Sequence, residues 1–233
     1  MTNISPNKTN GRKYNGQDKI DTITIHCIAG QKSAERIGEI FSKTSRKASC
    51  NYGIGHDGKI IMCVEEKDRS WCTSTRANDY RAITFQVASE SSYKGSIYAT
   101  TAEAFSSMLC LIYDICVRNG FKRVHFPKGL MYKDLEKLNK ANTVSKTQFI
   151  DNELKKQPPN TCLLTVHKWF EDKPCPGKFL HDRLKDGCIE NIINYLLSEN
   201  YTPRNDINFF KDVCHYNDEL RQYSQDLEEF VKI

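Results

Sequence analysis

Polar and apolar residues alternate through Thr22-Ile-Thr-Ile-His26, which predicts a strand with His26 at its end, followed by the breaker Ala29-Gly30. Ser33 can cap a helix running to about Ser42, with Ile37, Ile40 and Phe41 on one face. Asp57-Gly58 sits between the runs Asn51-Tyr-Gly-Ile and Lys59-Ile-Ile-Met-Cys-Val64, a hairpin signature. A further strand is expected over Ala82 to Ala88. Thr100-Thr-Ala-Glu103 reads as a capping box that opens a long amphipathic helix through Phe105, Leu109, Ile112 and Cys116, closed by Asn119-Gly120.

Beyond that helix the pattern weakens. Residues 122–160 are polar and irregular, with a short helix expected from about Lys146 to Lys156 and a stop at Pro158-Pro159. Thr161 to His167 predicts another strand that ends in a histidine. Gly177 to Leu197 carries apolar residues at helical spacing, read as one terminal helix. Residues 1–20, rich in Asn, Lys, Gly and Gln, read as a loose leader, and residues 200–233 as a separate charged helical extension after Pro203. Strands interspersed with helices predict an α/β fold: a central mixed sheet flanked by helices, within one domain over residues 1–199.

Composition narrows the classes. The 233 residues are 39% hydrophobic and 27% charged, an ordinary globular balance. No apolar run approaches the roughly 20 residues of a membrane span. The polar N-terminus lacks a secretory signal, so synthesis in the cytoplasm is expected. The net charge of +5 is scattered, with short clusters at Lys43–Lys47 and Lys155–Lys156 that read as a solvated face. It suits an anionic polymer, and no base-reading module supports a nucleic-acid partner. Ten cysteines without a CxxC pair are expected to be reduced core residues rather than a disulfide scaffold or a structural zinc cluster.

The chemistry concentrates in His167-Lys-Trp-Phe-Glu-Asp-Lys-Pro-Cys-Pro-Gly177. His167 and Cys175 are separated by a proline-bearing turn that can return both to one point, and His26 is a remote third donor. Imidazole and thiolate suit zinc, and a catalytic zinc needs three protein ligands with one open position. Spacing alone leaves a structural histidine beside a core cysteine as the simpler account.

The ordered set Ile-Thr-Ile-His26, Asn51-Tyr-Gly-Ile-Gly with Asp57-Gly58, Thr165-Val-His167 and Lys173-Pro-Cys-Pro-Gly177 resembles the zinc N-acetylmuramoyl-L-alanine amidases. Many of these are phage endolysins, and their fold is similar to that of the peptidoglycan recognition proteins. The likeness runs from about Asp21 to Leu197 and leans toward lysins of clostridial phages and prophages. It implies zinc ligation by His26, His167 and Cys175 in a groove on one face of the sheet. It implies Tyr52 near the metal and Lys173 stabilising the oxyanion, whose loss would cost about 10²–10³ in rate. The implied reaction is cleavage of the bond between the lactyl group of N-acetylmuramic acid and L-alanine in bacterial peptidoglycan, after release from the cell. Gln86 stands where many members have a glutamate that serves as general base. Gln86 cannot accept a proton, so either Tyr52 with the metal serves, or Glu90 substitutes, or activity is low. Gln86, Asn78 and Trp71 are candidate substrate contacts, with Arg81 beside them. Trp71 and Trp169 fit a glycan groove or the core equally well. His56 and His125 are expected to be solvated, and His181 to pack or face water. The tail 200–233 is a candidate for self-association. A non-catalytic muropeptide binder of the same fold, or a cysteine hydrolase with Cys175 as nucleophile and His167 as base, are the competing readings.

Overall fold

The computed structural model describes residues 5–13 and 19–199. Eight strands and seven helices follow one another as β1 (Lys8–Thr9), β2 (Thr22–Ala29), α1 (Ala34–Phe41), β3 (Tyr52–Ile54), β4 (Ile60–Met62), β5 (Arg69–Ser70), α2 (Arg76–Asp79), β6 (Ala82–Ser89), α3 (Ala102–Arg118), β7 (Arg123–His125), α4 (Tyr132–Lys140), α5 (Thr143–Lys155), β8 (Thr161–Val166), α6 (Gly177–Lys185) and α7 (Cys188–Ser198). Six strands form one mixed sheet in the order β4-β3-β6-β2-β8-β7, antiparallel only between β3 and β4. The tail 200–233, expected to be helical, lies outside the described residues.

Alternation along the central strands sorts the two faces. Ile23, Ile25, Ile83 and Phe85 are fully buried in the main core, which includes Phe105, Leu109 and Ile112 of α3. Thr24, His26 and Gln86 point the other way, because His26 and Gln86 are register partners, as are Ile25 and Phe85. Gly53 pairs with Gln86 and faces α1, where any side chain would collide with Ile37. The hairpin forms at Asp57-Gly58 as expected, with Gly58 at φ +76° and the Asp57 carboxylate accepting from Lys59 N at 3.2 Å. Ser33 caps α1 by accepting from Arg36 N. Seven of the nine cysteines among the described residues are buried, in keeping with small core hydrophobes.

Several boundaries differ from expectation. Strand β2 continues three residues past His26, so the histidine lies inside the strand. Thr101, not Thr100, caps α3, accepting from Ala104 N, while Thr100 Oγ1 donates to Ala88 O at 2.7 Å. The stretch read as irregular contains β7 and α4 as well as α5. Strand β7 has only three residues and takes its order from pairing with β8, which no local pattern announces. The single terminal helix is two, α6 and α7, broken at Gly187, whose φ of +92° no helix accommodates.

The leader is the largest correction. Lys8–Thr9 pairs with Arg69–Ser70, and Ser5, Asn7 and Arg12 are buried. The Arg12 guanidinium donates to Ala82 O (2.8 Å), Asp79 O (3.3 Å) and Asn51 Oδ1 (3.3 Å), and to Glu66 O. The segment is fixed by polar bonding rather than by apolar burial, so hydrophobic periodicity does not reveal it.

Candidate metal centre

The centre forms where β8 stops. Its last register pair with β2 is Val166 with Ile25, so beyond that point the neighbouring edge of β2 is open. The chain turns through a 3-10 turn at His167–Trp169 and returns with Cys175, a loop closed by Lys168 N donating to Cys175 O at 3.1 Å. Cys175 Sγ comes to the vacated edge and accepts from Cys27 N at 3.4 Å. Because His26 precedes Cys27, the same return brings the thiol to the histidine.

One donor atom each from His26, His167 and Cys175 lie within 4.8 Å of one another. The two imidazole centroids are 4.9 Å apart. His26 is fully buried, and neither of its ring nitrogens has a hydrogen-bond partner. Two orphaned buried nitrogens cost free energy unless something occupies them. Burial, and then His167, hold the His26 pKa well below 6.5, so its imidazole is neutral, the form that binds a metal. Burial likewise lowers His167, against Glu171, which raises it. Burial pushes the Cys175 thiol well above its usual range, with the neighbouring Cys27 adding to the shift, so ligation has to displace a proton. Two imidazoles and one sulfur converging on a point fit a zinc-type ion with a fourth position open.

Other expected residues fall in different places. Lys173 is exposed and lines a cavity of about 700 Å³ with Lys168, Lys185 and His181, over Phe126 and Trp169; the three donors do not line it. Its charge opposes protonation of His167. Gln86 shares the His26 face, its amide donating to Cys72 Sγ at 3.7 Å. Glu90 is engaged elsewhere: its carboxylate accepts from Ala99 N and Ser96 Oγ, closing the loop after β6.

Tyr52 is not at the centre. Its register partner is Phe85, on the face opposite His26, and its hydroxyl donates to Glu66 Oε1 at 2.7 Å. Glu66 in turn pairs with Arg118 of α3. A register shift of one residue separates the two faces, and sequence likeness does not resolve it. Asn78 is fully buried, donating to Thr24 Oγ1 (2.8 Å) and accepting from Thr165 Oγ1 (3.1 Å); it ties α2 to the sheet and has no solvent face for a substrate. Arg81 is spent on Asp21 and Asp151. Trp71 is half-exposed, with its indole nitrogen donating to Thr9 Oγ1 at 3.0 Å. Trp169 is core, stacked on Phe126. His56 is exposed, but His125 is not simply solvated, since Nδ1 lies 3.1 Å from Glu190 Oε1. His181 packs edge-on to Phe126 beside Lys168 and Lys185, and burial is the main reason its pKa falls to about 4.

Two residues were not anticipated. Glu171 Oε2 lies 3.2 Å from His167 Nε2. Its signal was the spacing of four residues after the histidine. Cys27 also meets the centre, and adjacency to His26 was its only mark.

Residues 16–178 match the family model described as N-acetylmuramoyl-L-alanine amidase. A solved E90A mutant of PlyL shares the fold, at 11% identity and a TM-score of 0.51, over 83% of this chain and 96% of that one. The Staphylococcus aureus hydrolase AmiA, solved with its ligand, aligns at 16% identity over 83% of this chain and 80% of its own, TM-score 0.49. The N-acetylmuramoyl-L-alanine amidase LysC of Clostridium intestinale aligns at 16% identity over 73% and 85%, TM-score 0.41. No curated protein matches by sequence.

Proposed function

Since the chain belongs to the N-acetylmuramoyl-L-alanine amidase family, we propose that it is a zinc-dependent peptidoglycan amidase. It cleaves the bond between the lactyl group of N-acetylmuramic acid and L-alanine. The observation that carries this reading is the convergence of His26, His167 and Cys175, with both nitrogens of a buried His26 left without partners. An intact donor set also favours an enzyme over a non-catalytic muropeptide binder.

His26, His167 and Cys175 would hold the ion. Zinc, when bound, supplies Lewis-acid chemistry that activates water near neutral pH and polarises an amide carbonyl. The chain's own groups do the rest. Lys173, an exposed ammonium whose charge reaches His167, would neutralise charge developing on the carbonyl oxygen. Gln86, beside His26 on the same face, offers an amide that can orient the substrate by hydrogen bonds but cannot take its proton. Tyr52, on the far face, takes no part. Half-exposed Trp71 is a candidate surface for the glycan.

The reading is tested by digesting purified sacculi and identifying the new ends. The expected product is stem peptide with a free alanine α-amine, formed with zinc and lost with a chelator. New reducing sugar ends, or free amines inside the stem peptide, would replace the amidase assignment by a glycosidase or an endopeptidase.

Glu171 orients His167 in this scheme. With Nε2 engaged by the carboxylate, Nδ1 is the nitrogen left for the ion. Such outer partners typically hold about 10–100-fold in metal affinity. Glu171→Gln is therefore expected to weaken zinc binding by that factor in a competition titration with a chromophoric chelator. An unchanged affinity would remove Glu171 from the scheme.

A further inference from the structure

Among the nine cysteines of the described residues, seven are buried, and the two that are only partly buried as residues are Cys27 and Cys175. These two also touch each other. Cys27 N donates to Cys175 Sγ at 3.4 Å, so the sulfur of one lies against the backbone of the other. Other thiol contacts, such as Cys50 with Cys63 and Cys116 with Cys162, lie fully inside the core. Partial burial and proximity therefore coincide at this pair among the described residues.

The cause is the sheet edge. Beyond Val166 nothing from β8 pairs with β2, so Cys175 occupies the edge of the strand rather than one face. From an edge position a sulfur reaches successive residues, although their side chains alternate between faces. Cys175 thus meets His26 and Cys27 together.

We propose that Cys27 and Cys175 are an oxidisable dithiol pair, and that their disulfide withdraws Cys175 from the donor set. The oxidant class is a peroxide. One thiolate attacks a peroxide oxygen, the O–O bond breaks, and a sulfenic acid forms as hydroxide leaves. The second thiol attacks that sulfur, the S–O bond breaks, and water is released. The two thiols together lose two electrons and two protons, and hydrogen peroxide becomes two waters. The product leaves His26 and His167 as two donors, too few for a catalytic zinc site. Bound metal and disulfide are then mutually exclusive states of the same sulfur. The consequence for metal rests on the zinc reading above; the formation of the bond does not.

The test uses the full chain stripped of metal, treated with hydrogen peroxide, blocked with iodoacetamide and mapped by mass spectrometry. The expected result is a peptide pair joined through Cys27 and Cys175, two hydrogens lighter than the separate thiols. Uptake of zinc, added alone, should fall by about tenfold or more, since two donors remain where three are needed, and should return with dithiothreitol. Cys27→Ser, compared with its own zinc uptake before oxidation, should lose the dithiothreitol-reversible part of the effect. Absence of the joined peptide under conditions that oxidise either thiol overturns the proposal. So does a reversible loss of uptake that persists in Cys27→Ser. A joined peptide in a protein that never takes up zinc would uphold the dithiol pair and remove the metal reading instead, so the two failures are distinct.

Discussion

Cys175→Ala is expected to eliminate bound zinc and wall lysis together. Three donors are the minimum for a catalytic zinc, and the thiolate is the one anionic member of this set. Losing an outer partner already costs about 10–100-fold in affinity, and losing a ligand should exceed that. His26 would then keep two buried nitrogens with nothing to occupy them. Metal analysis of the purified variant and turbidity clearing of cell walls read the two effects separately. Retention of a full equivalent of zinc with full lysis would refute the ligand assignment. The rival reading, with Cys175 as nucleophile and His167 as base, also predicts an inactive alanine variant. It differs in the wild type: a thiol hydrolase keeps its activity in chelator and loses it to alkylation. Inactivation by chelator and recovery with zinc is the expected result.

Arg12→Ala is expected to destabilise the fold by about 3 kcal/mol, since several buried acceptors lose their donor at roughly 1–3 kcal/mol each where no water replaces it. The side chain is 2% exposed and its guanidinium reaches the carbonyls of Ala82, Asp79 and Glu66 and the Asn51 amide oxygen. Truncation leaves those acceptors in a space that an alanine does not fill. Native stabilities of about 5–15 kcal/mol make this a large fraction of the total. At about 2–4 °C per kcal/mol for a chain of this size, the melting temperature should fall by roughly 10 °C. Arg12→Lys should recover little, because one ammonium cannot bridge acceptors from three parts of the chain. Urea unfolding of both variants measures the difference. A loss below about 1 kcal/mol, the level of an ordinary surface change, would mean that the N-terminal segment does not anchor the sheet as described.

These two residues differ in how far the sequence revealed them. Cys175 stood out through its company: Lys173, the flanking prolines and a histidine eight residues earlier. Arg12 sat in a polar stretch that carried no periodic signal, since its burial depends on carbonyl groups supplied by remote segments. The same contrast runs through the fold. Strands β2, β6 and β8 and helices α1 and α3 were legible because each buries an apolar stripe with its own period. Strand β7 and helix α4 were not, because a short strand is defined by its neighbour and α4 buries only Leu138.

The sequence by itself carried the class of fold and pointed to His26, His167 and Cys175, the three side chains that the structure brings together. Those depend on local pattern and on side-chain chemistry, which the chain carries wherever it goes. Only the tertiary structure decided which face each residue occupies and what stands beside it. Register sent Tyr52 to the α3 side and Gln86 to the side of His26, because paired strands share their alternation. Burial turned Asn78 from a candidate contact into a tie between α2 and the sheet. The early end of β8 opened the edge of β2, which let Cys175 reach His26 and Cys27 at once and gave His167 its carboxylate in Glu171. Side-chain type is a property of the residue; which groups meet depends on how distant segments pair.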